Sequence, residues 1–323
     1  MNQPSHSSTP GAAPRRFARL QFAALGLGAA LAAAELSAQT GGPGGPESEE
    51  GADGPPNTFA LSEVSLTYSF AAEGDITRNG KLGSAKSGHY EFEASFSLPA
   101  PQTWMFSTAL SWKRHEFDLT GAVPLPEKLE ELGFNFMALK DLSTEIGPGW
   151  SAMLMLSPSF AADSTKLSGD SFSLMGIASI GKEVSPTFSW SVGVVGMTRG
   201  DMPVLPMLGL RWAFAPDWNL EVGFPRTGVS YKVNDALTLN AGARFLGGTY
   251  YVSDAPAAGL GKTYLDYQEI RLGLGAEYRI GKNLTLAVDG GFTASRSFDY
   301  YDRDVKLDGD SAAFGSLSLR YRF

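Results

Sequence analysis

From Thr58 to the end of the chain, apolar side chains return at every second position in one segment after another. Residues 90–98 place Tyr90, Phe92, Ala94, Phe96 and Leu98 on one face, and His89, Glu91, Glu93, Ser95 and Ser97 on the other. Residues 269–280 set Ile270, Leu272, Leu274, Ala276, Tyr278 and Ile280 against Glu269, Arg271, Gly273, Gly275, Glu277 and Arg279. Residues 284–295 do the same with Leu284, Leu286, Val288, Gly290, Phe292 and Ala294. Successive side chains on a strand point to opposite faces, so each segment predicts a strand with one apolar and one polar face. One stretch, "EKLEELGFNFMALKDL", carries both helical and strand spacing; Gly133 and the "FNF" step favour a strand from about Leu132.

Short turns recur between these segments. "PDWNL", "NDALTL" and "GKNLTL" each place two or three turn residues before an apolar strand start, and "PQTWMF", "GPGWSAM" and "SPTFSW" do so with an aromatic. These read as tight hairpins. The intervening connections read as longer loops at 71–86, 114–128, 161–170, 199–206, 251–266 and 299–310, with one short exception at "FPRTG". The pattern predicts fourteen strands, starting near residues 60, 87, 104, 132, 150, 171, 188, 207, 218, 228, 237, 267, 284 and 313. Twelve is the alternative count, because 218–224 and 228–233 fall short of the ~9–11 residues that span a membrane.

Alternation suits a soluble sandwich as well as a membrane barrel. Aromatic height separates the two. All six Trp residues share the apolar parity of their strands. Trp104, Trp150, Trp190 and Trp218 open strands after short turns, Trp212 lies just before one, and Trp112 sits eight residues beyond Trp104. Eight steps on a tilted strand rise roughly 20 Å, near the ~25 Å apolar band of an outer-membrane barrel. Trp and Tyr favour the two water boundaries of such a band. Charged residues make up 19% of the chain, below the roughly 25% of soluble proteins. The expected fold is all-β: a transmembrane antiparallel up-and-down β-barrel of about fourteen strands, closed because hydrocarbon does not tolerate unpaired strand edges. The net charge of −8 argues against nucleic acid as a partner.

The segment ahead of the barrel reads differently. Arg15, Arg16 and Arg19 precede an apolar run of 13 residues from Phe22 to Ala34, then "ELSAQT". The run is shorter than the ~20 residues of a membrane-spanning helix. It reads as a signal peptide over 1–38, cut after Ala38, with Ala34 as the alternative site. Residues 39–57, rich in Gly, Pro and acid, read as a disordered linker, which leaves 58–323 as the barrel. This places the protein in the bacterial outer membrane.

The closing "SLSLRYRF" puts Leu317, Leu319, Tyr321 and Phe323 on one face. It resembles the last strand of bacterial outer-membrane proteins. That resemblance implies an assembly signal read by the barrel assembly machinery, with outer-membrane lipid and lipopolysaccharide as the other partners. Between about residues 130 and 250, "SPSFAADSTKLSGDSFSL", "VLPMLGLRWAFAPDWNLEVGFPRTGVSYKV" and "LTLNAGARFLGGTY" are similar to a family of uncharacterised bacterial barrel proteins. The shared motifs are "LP…G…W" and "W-x-L-x-x-G-x-P". No activity or functional residue is carried over with that likeness.

The chemistry sought in the polar face is mostly absent. Cys is absent, which excludes thiol catalysis and thiolate metal sites, and no metal or cofactor is expected. His89 shares its polar face with Glu91 and Glu93, and a hydrolytic Ser–His pair would need Ser65 or Ser69 on the neighbouring strand. His115 falls where a strand meets a long loop. "GLGKT" lacks the first glycine of a phosphate loop, Pro256 standing there, and leads into a strand rather than a helix. "RGD" at 199–201 sits in a loop. "DYYDRDVKLDGD" reads as a solvated acidic loop, with divalent cations as the sharper reading. The polar-face charges that would line a pore are Glu91, Glu93, Arg211, Lys232, Arg244, Glu269, Arg271, Asp289, Arg320 and Arg322. Fourteen strands exceed the ~8 whose side chains alone fill a barrel, so a water-filled pore is favoured over a structural ion-pair network. The expected function is a passive channel for small hydrophilic solutes. A closed barrel presenting surface loops is the alternative, and a barrel-embedded hydrolase the remote one.

Overall fold

The computed structural model describes residues 59–164, 167–200, 203–253 and 259–323. The expected signal peptide and linker lie outside the described residues. Strands leave the end where both termini of the described chain lie, called here the turn end, and return to it. They are β1 (Ala60–Thr77), β2 (Lys81–Leu98), β3 (Trp104–Gly121), β4 (Lys128–Asp141) and β5 (Trp150–Ala162). Next come β6 (Phe172–Ser185), β7 (Phe188–Met197), β8 (Val204–Ala215), β9 (Trp218–Val222) and β10 (Arg226–Lys232). The last are β11 (Leu237–Val252), β12 (Thr263–Ile280), β13 (Leu284–Tyr300), β14 (Val305–Gly309) and β15 (Ala313–Arg322). Each pairs antiparallel with its sequence neighbour, and β15 lies between β13 and β1, closing the barrel. β14 and β15 are two halves of one stave. The break is a bulge in which the Ala312 N–H donates to Thr293 Oγ1 (2.8 Å). The barrel therefore has fourteen staves, as the alternation predicts.

Its exterior carries the expected belt. Leu66, Phe92, Leu110, Phe134, Leu154, Leu274 and Leu317 all face outward and are exposed. At the turn end the belt finishes in aromatic contacts, Trp150 with Trp190 (5.7 Å), Trp218 with Tyr231 (4.7 Å) and Tyr321 with Phe323 (4.9 Å). Indole and phenol rings settle where hydrocarbon meets water.

The far end departs from the expectation. Of the regions read as long loops, 161–170 and 199–206 lie mostly between strands, as expected, but 71–86, 114–128 and 299–310 are mostly strand: β1 and β2 run on to a turn at 78–80, and β3 continues to Gly121. The alternation continues there with its polarity reversed. On β3, Trp112 faces out and Lys113 in. Beyond them Arg114, Glu116 and Asp118 face out while His115, Phe117 and Leu119 face in. On β12, Leu265 and Tyr267 turn inward above Glu269 and Arg271. Past the bilayer the surroundings become water, so the apolar face turns to the interior as in any soluble sheet.

That interior is a packed plug. Ile76, Phe117, Leu129, Tyr250, Val252, Leu265, Tyr267, Phe298, Tyr300 and Leu307 form one buried cluster. The β3–β4 connection folds into it, burying Val123 and Leu125, and the Tyr300 hydroxyl donates to Pro124 O (2.7 Å). The plug exists because β11 leaves the wall. Gly247, at φ +136°, turns the strand across the lumen, where Tyr251 pairs in parallel with Ala162 of β5. The Asp163 N–H donates to Tyr251 O (3.0 Å), and the Asp163 carboxylate accepts from Ser253 N (2.9 Å). Nine strands thus ring the far end, in the order β5, β4, β3, β2, β1, β14, β13, β12 and β11. Nine is close to the ~8 that side chains can fill. The expected water-filled lumen is therefore confined to the part of the barrel below the plug.

Candidate functional site

Beneath the plug lies a buried charged layer. Glu269 accepts from Tyr267 Oη (2.6 Å), Arg271 Nε (2.6 Å) and Arg296 Nε (2.9 Å). Arg271 Nη1 also donates to Ser69 Oγ (2.8 Å). Beside this group, Lys113 Nζ stands 3.6 Å from Glu131 and 4.0 Å from Glu91, and His89 Nε2 is 3.6 Å from Glu91. The His89 and His115 rings are 4.3 Å apart, and His115 meets Tyr267 edge-on at 5.0 Å. Charges taken this far from water persist only when paired and hydrogen-bonded.

The opposite inner wall is apolar. Met137, Met155, Ile177, Val195 and Leu205 face one another in direct register across β4, β5, β6, β7 and β8. Met175, Met105, Met153, Met197, Met207 and Phe224 pack with that row. Seven of the chain's nine methionines meet here. Phe224 arrives from the β9–β10 turn and meets the Phe245 ring at a tilt (5.4 Å, 43°).

Toward the turn end the lumen carries small side chains, Ser, Thr and Gly, between charged pairs of which every member but Glu63 is partly exposed. Arg211 lies 3.9 Å from Glu221, Arg226 3.9 Å from Glu277, and Arg320 and Arg322 lie 3.3 and 3.0 Å from Glu63. Arg226, Arg244 and Arg271 stand side by side across β10, β11 and β12.

A domain of unknown function, DUF6268, matches residues 66–308. The chain belongs to the DUF6268 family. The match extends well beyond the three segments that carry the resemblance in the sequence. No curated protein matches the chain. Among solved structures, a Pseudomonas aeruginosa FadL homologue is 14% identical, covering 82% of this chain and 91% of that one, with a TM-score of 0.43. An outer membrane channel from Pseudomonas putida F1 is 9% identical, covering 84% and 100%, with a TM-score of 0.46. The KdgM porin is 9% identical, covering 80% and 99%, with a TM-score of 0.33. None of these likenesses carries an argument about what this chain does.

The DUF6268 barrel places six of the ten predicted wall charges in two groups and the other four singly. Glu91, Glu269 and Arg271 belong to the layer beneath the plug. Arg211, Arg320 and Arg322 are in the turn-end half, with partners named above. Asp289 and Asn240 reach over Gly275 from either side. Glu93 accepts from Ser95 Oγ (3.2 Å). Lys232 is at the rim, paired with Asp235 (2.8 Å). Arg244 holds the middle of the arginine row.

The hydrolytic pair is not assembled in this DUF6268 chain. Ser69 does stand opposite His89 in register. Its hydroxyl oxygen accepts from Arg271, the His89 Nδ1 has no hydrogen-bond partner, and both residues are buried. His115 is mid-strand and buried rather than at a loop edge. Among the described residues, no group of three or more His, Asp or Glu side chains could hold a metal ion. The acidic stretch 299–310 is a strand hairpin whose Tyr300, Val305 and Leu307 enter the plug. In its turn, burial and the Asp266 and Asp302 carboxylates push the Tyr301 phenol up to about 12. The Arg199 of "RGD" lies over the Tyr264 ring (4.6 Å) and donates to Phe172 O (2.7 Å). Asp201 is outside the described residues.

The methionine row escaped the sequence reading. Its signal is a loss of alternation, in "SAMLML", "SLMGI" and "VLPMLGL", where both faces of the strand are apolar.

Proposed function

We propose that this protein is an outer-membrane channel for small solutes, wet in its turn-end half and held shut at its far end at rest. The observation that carries the reading is the lumen of a fourteen-stave barrel in which Arg211, Glu221, Arg226 and Glu277 near the turn end remain partly exposed. Wall charges of that kind set the selectivity of a barrel channel. Small hydrophilic solutes suit this half, and the row Arg226, Arg244, Arg271 favours anions. Their passage requires the plug to part, and the β3–β4 connection, which buries Val123 and Leu125, is a piece of it folded inward from outside the strands. On the outer face of β15, Leu317, Leu319, Tyr321 and Phe323 meet lipid and are offered to the assembly machinery.

In planar bilayers the purified chain is expected to give rare, discrete conductance steps. Replacing residues 123–126 with Gly and Ser is expected to make those steps frequent. Their reversal potential should favour anions, and Arg244→Glu should move it toward cations. The apolar plug also favours a second reading, a permanently closed barrel that presents its far end as a surface. A folded barrel that stays silent in both forms would establish that second reading and remove the first.

A further inference from the structure

The wall of the barrel is interrupted between β8 and β11. β9 has five residues and β10 seven. Pairing with β8 stops at Leu210–Val222, and pairing with β11 stops at Arg226–Arg244. Beyond those rungs Val204–Gly209 pair with β7 alone. β11 beyond Phe245 pairs with β12 alone until it reaches β5. The interruption has a closed outline. Its floor is the turn 223–225, where the Phe245 N–H donates to Pro225 O (3.0 Å). Its roof is Arg199, just beyond β7, which reaches Tyr264 of β12.

An unpaired edge facing hydrocarbon costs several kcal/mol per orphaned backbone group unless it lines a protein cavity. The sequence lowers that cost on β8. The Met197 N–H donates to Pro203 O (2.8 Å). By the alternation of an antiparallel ladder, the odd residues of this segment then bond to β7 and the even ones point the other way. Pro206 therefore sets a nitrogen without a hydrogen at the open edge, the position proline tolerates in a sheet. The outward neighbours on this edge, Val204 and Leu208, are 64% and 62% exposed and apolar. The interruption faces lipid, not water.

Inside, the methionine row ends at this same edge. Leu205, its last member, sits on β8 beside the interruption, and Phe224 from the floor closes over the row. The row contains no charge. Unbranched thioethers repack readily around apolar guests.

Resting on the channel reading, we propose that the interruption is a lateral portal for small uncharged apolar molecules. These pass between the bilayer and the lumen along the methionine row, and Phe224 is the side chain that shuts the portal. The test uses the full chain folded into the outer membrane of bacterial cells, with uptake of labelled naphthalene as one readout and ion conductance of the same purified variants as the other. Heat-modifiable gel migration checks folding. Phe224→Ala is expected to raise naphthalene uptake severalfold. The near-isosteric pair Met137→Gln with Met155→Gln is expected to lower it about tenfold, because an amide must be desolvated on the track. Conductance should be unchanged in both. Naphthalene uptake that follows neither variant in a conducting, folded barrel overturns the portal and leaves the channel standing. A folded barrel that passes neither naphthalene nor ions overturns both.

Discussion

Glu269→Ala is expected to cost about 3–5 kcal/mol of folding stability, the usual loss when one partner of a buried ion pair is removed. Glu269 is the shared acceptor for Arg271 and Arg296, and its side chain is fully buried. Arg296 meets it through Nε alone; both Arg296 Nη atoms are buried without a hydrogen bond. Removing the carboxylate leaves two guanidinium groups facing an interior already shielded by the plug above. Glu269→Gln keeps an acceptor for one donor and should cost less. Replacing Glu269, Arg271 and Arg296 together with Leu or Met should recover most of the loss, because a whole buried ionic group often exchanges for apolar packing at little net cost. Urea unfolding of the barrel in micelles, followed by tryptophan fluorescence, reads all three. A loss below about 1 kcal/mol for Glu269→Ala would mean that water reaches the layer, the behaviour of an exposed ion pair.

How far the chain announces this arrangement differs between its two ends. Every strand that starts at the turn end begins where the alternation places it, at Ala60, Trp104, Trp150, Phe188, Trp218, Leu237 and Leu284. At all of these points but Ala60 a connection of two to eight residues meets the lipid boundary, and an aromatic or Leu marks the change. Of the strands that start at the far end, β6 begins within a residue of its expected start, but β2 is displaced by six residues and β4, β8 and β12 by three or four. No lipid boundary coincides with those turns. "RHEFDLTG" alternates as well as any spanning strand, yet its apolar residues face inward. Period two reports that two faces differ; it does not say which one meets water. The charges of the polar face were legible as residues that point inward. Their division into a partly exposed half and a sealed layer was not, because it depends on β11 crossing to β5, a contact between residues 89 apart in sequence. The methionine row was hidden for a related reason. Apolar on both faces, those strands resemble continuous runs and give no alternation to count.

The crossing itself depends on one residue. Gly247→Ala is expected to release β11 from β5 and open the far end. At φ +136° the backbone is in a region that L side chains rarely adopt, and a Cβ there would lie 2.0 Å from Tyr267 O and 2.9 Å from Gln268 Cα. Both are backbone atoms of the paired strand, so no side-chain rotation relieves the clash. The cheaper response is for β11 to straighten and continue along the wall. That withdraws Tyr250 and Val252 from the plug, each worth about 1.5–3 kcal/mol when fully buried, and breaks the Asp163 bonds to Tyr251 and Ser253. Hydrogen exchange over residues 248–253 should become fast, and conductance should rise from the closed baseline to steady steps. Gly248→Ala supplies the comparison one residue on, where a Cβ would make only ordinary contact with the Tyr250 ring at 3.4 Å; it should leave both measurements as they are. If Gly247→Ala stays protected and closed, the ring of nine strands is held by the plug's packing rather than by the bend in β11. The sealing of the far end would then have to be sought in the β3–β4 connection instead.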